Sequence, residues 1–298
     1  MNCPHCRKAQ YTVRYDFGAH RVVRCSGCGL LRLDPHPTEE DIRAVYGENY
    51  FNNTEFLRGT TQALFGYSDY IAERFNKQRQ YTAIAREIAR RLGAMGRRPR
   101  LLEVGCGLGY FLDVAFEEDF DVSGLEFNPH AVERLKRKYA FPVRAGALES
   151  TEFPPAAFDS VVLFDVIEHL RDPFAGLDRM HAAIAPRGLL VLSTVDAESV
   201  VSRLLGKRLE DFRRTREHLF FFSRKTLREV LDTHGFEVET IRSIGHTFSV
   251  EMLLDRLALY NRPVFTALRR LATRVGVGSL QIYVNPGTKM IAYARRKD

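Results

Sequence analysis

Residues Leu101–Gly109, LLEVGCGLG, constrain this chain more than any other stretch. A short apolar run reaches an acid at Glu103 and then enters three glycines, Gly105, Gly107 and Gly109, spaced G-x-G-x-G. A parallel α/β sheet opens a nucleotide site in this way. Glycines let the backbone turn tightly and lie close to a ligand because no Cβ intervenes. The acid sits at the end of the strand and faces whatever occupies the far side of the turn.

The spacing selects among nucleotides. A dinucleotide turn reads G-x-G-x-x-G with a pyrophosphate on the helix N-terminus, but here the third position of that pattern is Tyr110. Glu103 is a poor neighbour for phosphate and a good one for an amino group. The ligand indicated is an adenosine carrying a cationic amino-acid tail, S-adenosylmethionine (SAM). The following segments agree. A helix over about Tyr110–Glu118 leads to a second strand, DVSGLEFN, which reaches Glu126 seventeen residues past Gly109. An acid there can accept hydrogen bonds from both ribose hydroxyls. A third strand, FPVRAG, leads to Ala147, Leu148 and Glu149. A fourth, FDSVVLFD, ends in DVIEHL, and a fifth, GLLVLSTV, follows the turn Pro186-Arg187-Gly188. Apolar strands alternating with amphipathic helices predict an α/β fold with a doubly wound sheet.

Through EVGCGLGYFL, GLEFNP, AGALE, FDVIEHLRDP and EHLFFFSRKTLREVLDTHGF, over roughly residues 80–245, the chain resembles the SAM-dependent methyltransferases of Rossmann-like fold. The resemblance implies a seven-stranded sheet with an antiparallel last strand. It implies that Glu103 holds the methionine ammonium, Gly105–Gly109 line the cofactor, Glu126 takes the ribose and Leu148 covers the adenine. Where the family often has an acid this chain has Ala147, with Glu149 as the substitute. The candidate cofactor-binding set is Glu103, Gly105, Cys106, Gly107, Gly109, Tyr110, Glu126, Phe127, Leu148, Glu149 and Asp165. Cys106 is small enough to sit under the cofactor in a packing role.

Four of the five cysteines lie in the first 28 residues, as Cys3-Pro-His-Cys6 and Cys25-Ser-Gly-Cys28 with eighteen residues between the pairs. Each C-x-x-C brings two thiolates to one metal, and YTVRYDF and HRVVR can pair as a hairpin that joins the two bends. Four such ligands predict a closed, structural zinc site; the alternative is a redox or disulfide pair, which a reducing compartment disfavours. His5 and His20 are expected to be exposed rather than ligands. Residues 1–36 are therefore read as a zinc-ribbon-like module, 37–80 as a helical linker or lid, and 81–298 as the SAM-binding domain. Within the linker, Thr38 is the expected N-cap of a helix with acids in its first turn. The cysteine pairs followed by GLLRLDPHP and by Tyr46, Tyr50 and Phe51 resemble the start of bacterial methyltransferases of polysaccharide and natural-product pathways. That resemblance implies that the aromatics fold over the cofactor cleft; alternatively they anchor the module.

Methyl transfer to a hydroxyl needs a positioned base. His218, in EHLFFFS, is the first candidate and His169, in DVIEHL, the second. Asp165, Glu168 and His169 also resemble the E-x-x-E-H of ubiquinone-pathway O-methyltransferases, and the three could converge on a cation. The tail carries helical patterning over 249–275, read as an insert at about 247–278 that caps the acceptor pocket with its apolar stripes. SLQIYV and TKMIAYARR, joined by Asn285-Pro286-Gly287, are expected to pair and complete the sheet at its antiparallel edge. Arg269, Arg270 and Arg274 read as a solvated face, or as a contact for a lipid-linked or phosphorylated substrate.

The chain has 298 residues, 45% of them apolar, and a formal charge of +7 from 44 basic and 37 acidic side chains. No run approaches the roughly 18 apolar residues of a membrane span, and MNCPHC lacks the core of a secretory signal, so the expected location is the cytoplasm. The functional expectation is methylation of a small molecule or glycan, most simply O-methylation of a sugar. The alternatives are an RNA methyltransferase gripping phosphates with its zinc module, and a SAM-binding protein without catalysis.

Overall fold

The computed structural model describes residues 2–51 and 73–298. In chain order its strands are β1 (Tyr11–Asp16), β2 (Arg21–Cys25), β3 (Leu31–Asp34), β4 (Arg100–Val104), β5 (Asp121–Glu126), β6 (Val143–Ala145), β7 (Phe158–Phe164), β8 (Ile184–Val195), β9 (Phe220–Phe221), β10 (Phe236–Ser243), β11 (His246–Ser249), β12 (Gln281–Val284) and β13 (Lys289–Arg296). Seven of them form one sheet in the order β10-β13-β8-β7-β4-β5-β6. The five strands from β8 to β6 are mutually parallel, and β13 runs antiparallel to both β8 and β10. This is the doubly wound architecture expected from the sequence.

Alternation along the strands sends side chains to two cores. Leu102, Val104, Val161 and Leu163 join one cluster, and Leu101, Val162, Val191 and Ile291 the other. Helices cover both faces. Tyr110–Glu117 begins directly at the glycine turn, and Pro129–Lys138 is capped by Asn128, whose side chain accepts from His130 and Ala131 N–H. Asp172 and Ser223 cap Pro173–Ala183 and Arg224–Thr233 in the same manner, satisfying amides that have no partner within the helix.

The N-terminal hairpin forms as expected, β1 antiparallel to β2, and Thr38 caps the helix Glu39–Val45 through a reciprocal bond with Asp41. The module is not separate, however. Its sheet is β1-β2-β3-β9, so Phe220–Phe221, from the far end of the chain, completes it beside Leu31–Arg32. Five further expectations are corrected. The helix expected over 81–92 begins at Glu73 and runs to Leu92, a polar but unbroken extension without Gly or Pro; the rest of the lid reading, residues 52–72, lies outside the described residues. Strand β8 starts at Ile184 and takes in Pro186-Arg187-Gly188, accommodated by a register shift against β7. SLQIYV does not pair with the last strand: β12 pairs with β11. The last strand is one position in from the edge, which β10 occupies. His5 and His20 are half-buried rather than exposed, His5 stacking on Phe174 with the ring planes 9° apart.

Candidate functional site

The C-terminal ends of β4, β5, β6 and β7 open into a cavity of about 650 Å³. Ligands bind at this edge in doubly wound sheets. Its floor is Gly105 and Gly107, one side Glu126 and Phe127, and the next Gly146–Ser150; the segment from Phe164 to Asp172 closes the far side. The N-terminal module forms the roof. Arg32, His36, Tyr46, Tyr50 and Phe51 line the same space, with Phe220 from β9.

The glycine turn is built for close approach. Gly105 takes φ +69°, and a Cβ there would run into the Val166 side chain; Gly109 takes φ +78°, where a Cβ would lie 2.6 Å from Leu135 Cδ2. Either substitution strains the backbone; the first crowds the cavity wall at Val166 and the second the packing behind the turn. Glu126 locks the turn: Gly107 N–H donates to one of its oxygens and Asn128 N–H to the other, both at 2.7 Å. Burial still holds its pKa above the ordinary carboxylate value, against the bonds from Asn128 and Gly107.

Glu103 faces a second, smaller space of about 40 Å³ that shares Gly105, Phe164 and Asp165 with the main cavity and is also lined by Lys77, Gln80, His246 and Lys289. The Glu103 side chain is buried and its Oε2 has no hydrogen-bond partner among the described residues. Burial, and then the Glu126 charge, push its pKa well up. A buried carboxyl with an orphaned oxygen wants a cation, and an ammonium at this point would satisfy it. The residues therefore fit SAM, whose ammonium would meet Glu103, its ribose Glu126 and its adenine Leu148 and Phe127.

Not every sequence-predicted residue reaches the cavity. Gly105, Gly107, Glu126, Phe127, Leu148, Glu149 and Asp165 line it. Cys106 turns away into the core below the turn, close against Gly124. Gly109 and Tyr110 start the helix that follows and support the turn from behind. Glu149 accepts Arg171 N–H at 3.0 Å and so ties the β6 loop to the β7 loop.

The two candidate bases meet. His169 lines the cavity and His218 lies directly behind it, ring centroids 4.8 Å apart and planes at 89°. Burial lowers the pKa of His169 to about 4, and burial with the neighbouring His169 lowers that of His218 well below the usual value. Glu168 is the third member. Its carboxyl and the two rings offer ligand atoms within 4.8 Å of one another, and neither Glu168 oxygen nor either Nδ1 has a hydrogen-bond partner among the described residues. Burial, then the Asp165 charge, raises Glu168 to about 8. The expected convergence of Asp165, Glu168 and His169 is not what forms. Asp165 is taken up by Lys289 at 2.5 Å and by Ser193 Oγ at 3.0 Å. Although it is buried, the ammonium holds its pKa below the ordinary range. His218 stands in its place, so the group able to hold a divalent cation is Glu168, His169 and His218.

At the roof, the ligand sulfurs of Cys3, Cys6, Cys25 and Cys28 lie within 4.8 Å of one another, with Cys3–Cys28 at 3.7 Å and Cys6–Cys25 at 3.4 Å, and all four are free thiols. Zinc–sulfur bonds of about 2.3 Å in a tetrahedron put sulfurs about 3.8 Å apart, so the four thiols fit a zinc ion. Sequence reasoning missed several roof and wall residues. Arg32 and Phe220 are partners in the β3-β9 pairing, which is long-range. Glu217 accepts from Tyr50 Oη at 2.9 Å and pairs with Arg214, and only the EHLFFF segment hinted at its role.

The site belongs to a methyltransferase. The methyltransferase-domain family matches residues 75–241, and the chain belongs to that family. It is 31% identical over 147 residues to a probable S-adenosylmethionine-dependent methyltransferase of Mycolicibacterium smegmatis, covering 49% of this chain and 55% of that protein. It is 28% identical over 222 residues to the tRNA U34 carboxymethyltransferase of Hahella chejuensis, covering 72% of this chain and 64% of that protein. The chain thus spans less than two thirds of the length of either relative. A solved SAM-dependent methyltransferase of Archaeoglobus fulgidus shares the fold, with a TM-score of 0.50 at 18% identity over 76% of this chain and 99% of that one.

Proposed function

We propose that this chain transfers the methyl group of SAM to a hydroxyl of a small molecule, and that the acceptor is a saccharide of a surface-polysaccharide or natural-product pathway. The observation that carries the reading is His169. Its imidazole stands, neutral at physiological pH, in the wall of the cavity whose floor and sides are Gly105, Gly107, Glu126 and Leu148. When bound, SAM supplies an electrophilic methyl carbon on a sulfonium. The chain's own residues do the rest. Glu103 and Glu126 fix the two ends of the cofactor, the aromatic roof of Tyr46, Tyr50 and Phe51 excludes water, and His169 takes the proton of the attacking hydroxyl. His218 and Glu168 then position that ring. The polar rim, Asn2, Arg32, His36, Glu39 and Arg171, offers donors and acceptors suited to a hydroxyl-rich acceptor. Cys3, Cys6, Cys25 and Cys28 hold a structural zinc that keeps this rim in place.

The experiment is to incubate zinc-loaded protein with methyl-labelled SAM and fractionated cell extract, with and without RNase. Label in a saccharide or small-molecule fraction, insensitive to RNase, supports the reading. Label lost from the macromolecular fraction on RNase treatment overturns it in favour of RNA, the acceptor class of the Hahella relative.

A further inference from the structure

The segment between β10 and β13 does not cap the cavity: none of its residues lines the main cavity, and only Ile244 and His246, ahead of its helices, reach the small one. It folds instead as the helices Val250–Leu257 and Arg262–Arg274 packed against each other beside the β11-β12 pair. The second helix turns an apolar stripe outward. Val264, Leu268, Leu271 and Val275 are spaced four, three and four residues apart, which places them on one face, and they are 43–60% exposed. Tyr260, before the helix, and Leu280, Ile282 and Tyr283, after it, are exposed too. An apolar surface of this extent on a water-facing helix marks a contact site.

The charges say what it contacts. Every charged residue of Arg262–Arg274 is an arginine. Arg269 pairs with Asp255 at 3.3 Å. Arg262, Arg270 and Arg274 are exposed and have no ion pair among the described residues. At 100° per residue, Arg274 lies about 90° and Arg270 about 130° round from the centre of the stripe on one side, while Arg262 and Arg269 fall toward the back on the other, the face that meets Asp255. A second copy of this chain is a poor occupant, because an antiparallel two-fold contact would set the Arg270–Arg274 flank of one helix against its own counterpart. An apolar stripe with a basic flank, preceded by the exposed Tyr260, matches a helix lying in the interface of an anionic bilayer.

We propose that the helix Arg262–Arg274 docks this protein on an anionic membrane surface, Val264, Leu268, Leu271 and Val275 entering the acyl boundary while Arg270 and Arg274 meet lipid phosphates. No helix of the described residues is long and apolar enough to cross a membrane, so the attachment is peripheral. The proposal does not depend on the identity of the methyl acceptor.

The test is co-sedimentation of the full chain with vesicles of phosphatidylcholine alone and with phosphatidylglycerol added. Binding to the anionic vesicles is expected, weakened by salt and absent for phosphatidylcholine alone. Each arginine contributes about fivefold, so Arg270→Gln with Arg274→Gln should weaken binding about 25-fold. Leu268→Glu with Leu271→Glu should weaken it at least about tenfold, with SAM affinity and melting temperature unchanged. Leu268→Ser with Leu271→Ser serves as the milder pair should the glutamates disturb folding. Absence of wild-type binding to anionic vesicles overturns the proposal. So does binding that survives both leucine pairs, and so does a self-association that the leucine pairs abolish in a protein that ignores vesicles.

Discussion

The ring of His218 stands perpendicular to that of His169 at 4.8 Å, and only His169 reaches the cavity. The two histidines, 49 residues apart, sit on segments stitched together by Leu219 N–H donating to Glu168 C=O at 2.7 Å. On the proposed function, the ring in the cavity wall is the one placed to meet an acceptor and the other packs behind it, so His169 is the base proposed here although the sequence puts His218 first.

His169→Ala should lower kcat by about 10²- to 10⁴-fold, the usual range for a general base, with the SAM Kd unchanged. Because His169 titrates near pH 4, it is neutral over the physiological range. The acid limb of the pH–rate profile should lie below about pH 5 rather than near the ordinary imidazole value of about 6.5. Near-wild-type turnover of the alanine variant, with cofactor affinity intact, would remove the base assignment.

Glu103 should link cofactor binding to proton release. In the free protein, burial holds its carboxyl protonated well above the usual range; an ammonium beside it favours the charged form. Binding then expels a proton, so affinity rises with pH until the free carboxyl has ionised. Calorimetry in two buffers of different ionisation enthalpy should read this release, and Glu103→Gln should abolish it while weakening binding about tenfold to a hundredfold. Equal heats in both buffers would count against the role.

The glycine turn and the acids at Glu103 and Glu126 were legible because they are local: a strand, a turn and the chain immediately after it. So was the β1-β2 hairpin, whose two cysteine bends bracket it. What escaped was long-range. Two residues, Phe220–Phe221, show no periodicity, so nothing in the sequence tells that they complete the N-terminal sheet beside Leu31–Arg32. Lys289, first residue of a strand that reads as an edge, takes Asp165 away from the expected D-x-x-E-H cluster. The apolar stripe of Arg262–Arg274 has the same period whether it packs on a lid or faces water, so only its surroundings decide.

Zinc should matter more to the acceptor than to the cofactor. Pro4 lies between Cys3 and Cys6, lines the cavity along with Arg32, and belongs to the roof, not to the glycine floor. One zinc per chain is expected by elemental analysis. Chelation, or Cys28→Ser, should lower the melting temperature and raise the acceptor KM, while the SAM Kd moves little. A chelated protein with unchanged melting temperature and KM would show that the four thiols carry no structural metal.

Asp159 anchors the opposite end of the sheet. Its side chain is buried, and it accepts from the Arg97 guanidinium at 2.6 and 2.9 Å and from Arg100 N–H at 2.7 Å. Burial alone would raise its pKa, but the two guanidiniums and the amide hold it below the ordinary aspartate value. A carboxylate depressed on folding stabilises the protein above its unfolded pKa of about 3.9, and that stability drains away as the pH falls toward the folded value. Asp159→Asn should therefore cost about 1–3 kcal/mol at pH 7, since the amide cannot serve both arginines as an anion does. Urea unfolding from pH 7 to pH 3 should show the gap between wild type and variant steady down to about pH 4 and narrowing below it. Buried His169 and His218, neutral in the fold, lose their contribution in a separate window, from about pH 6.5 down, and do so equally in both proteins. A gap that stays constant through pH 3 would mean that the asparagine acts through packing and not through the lost charge.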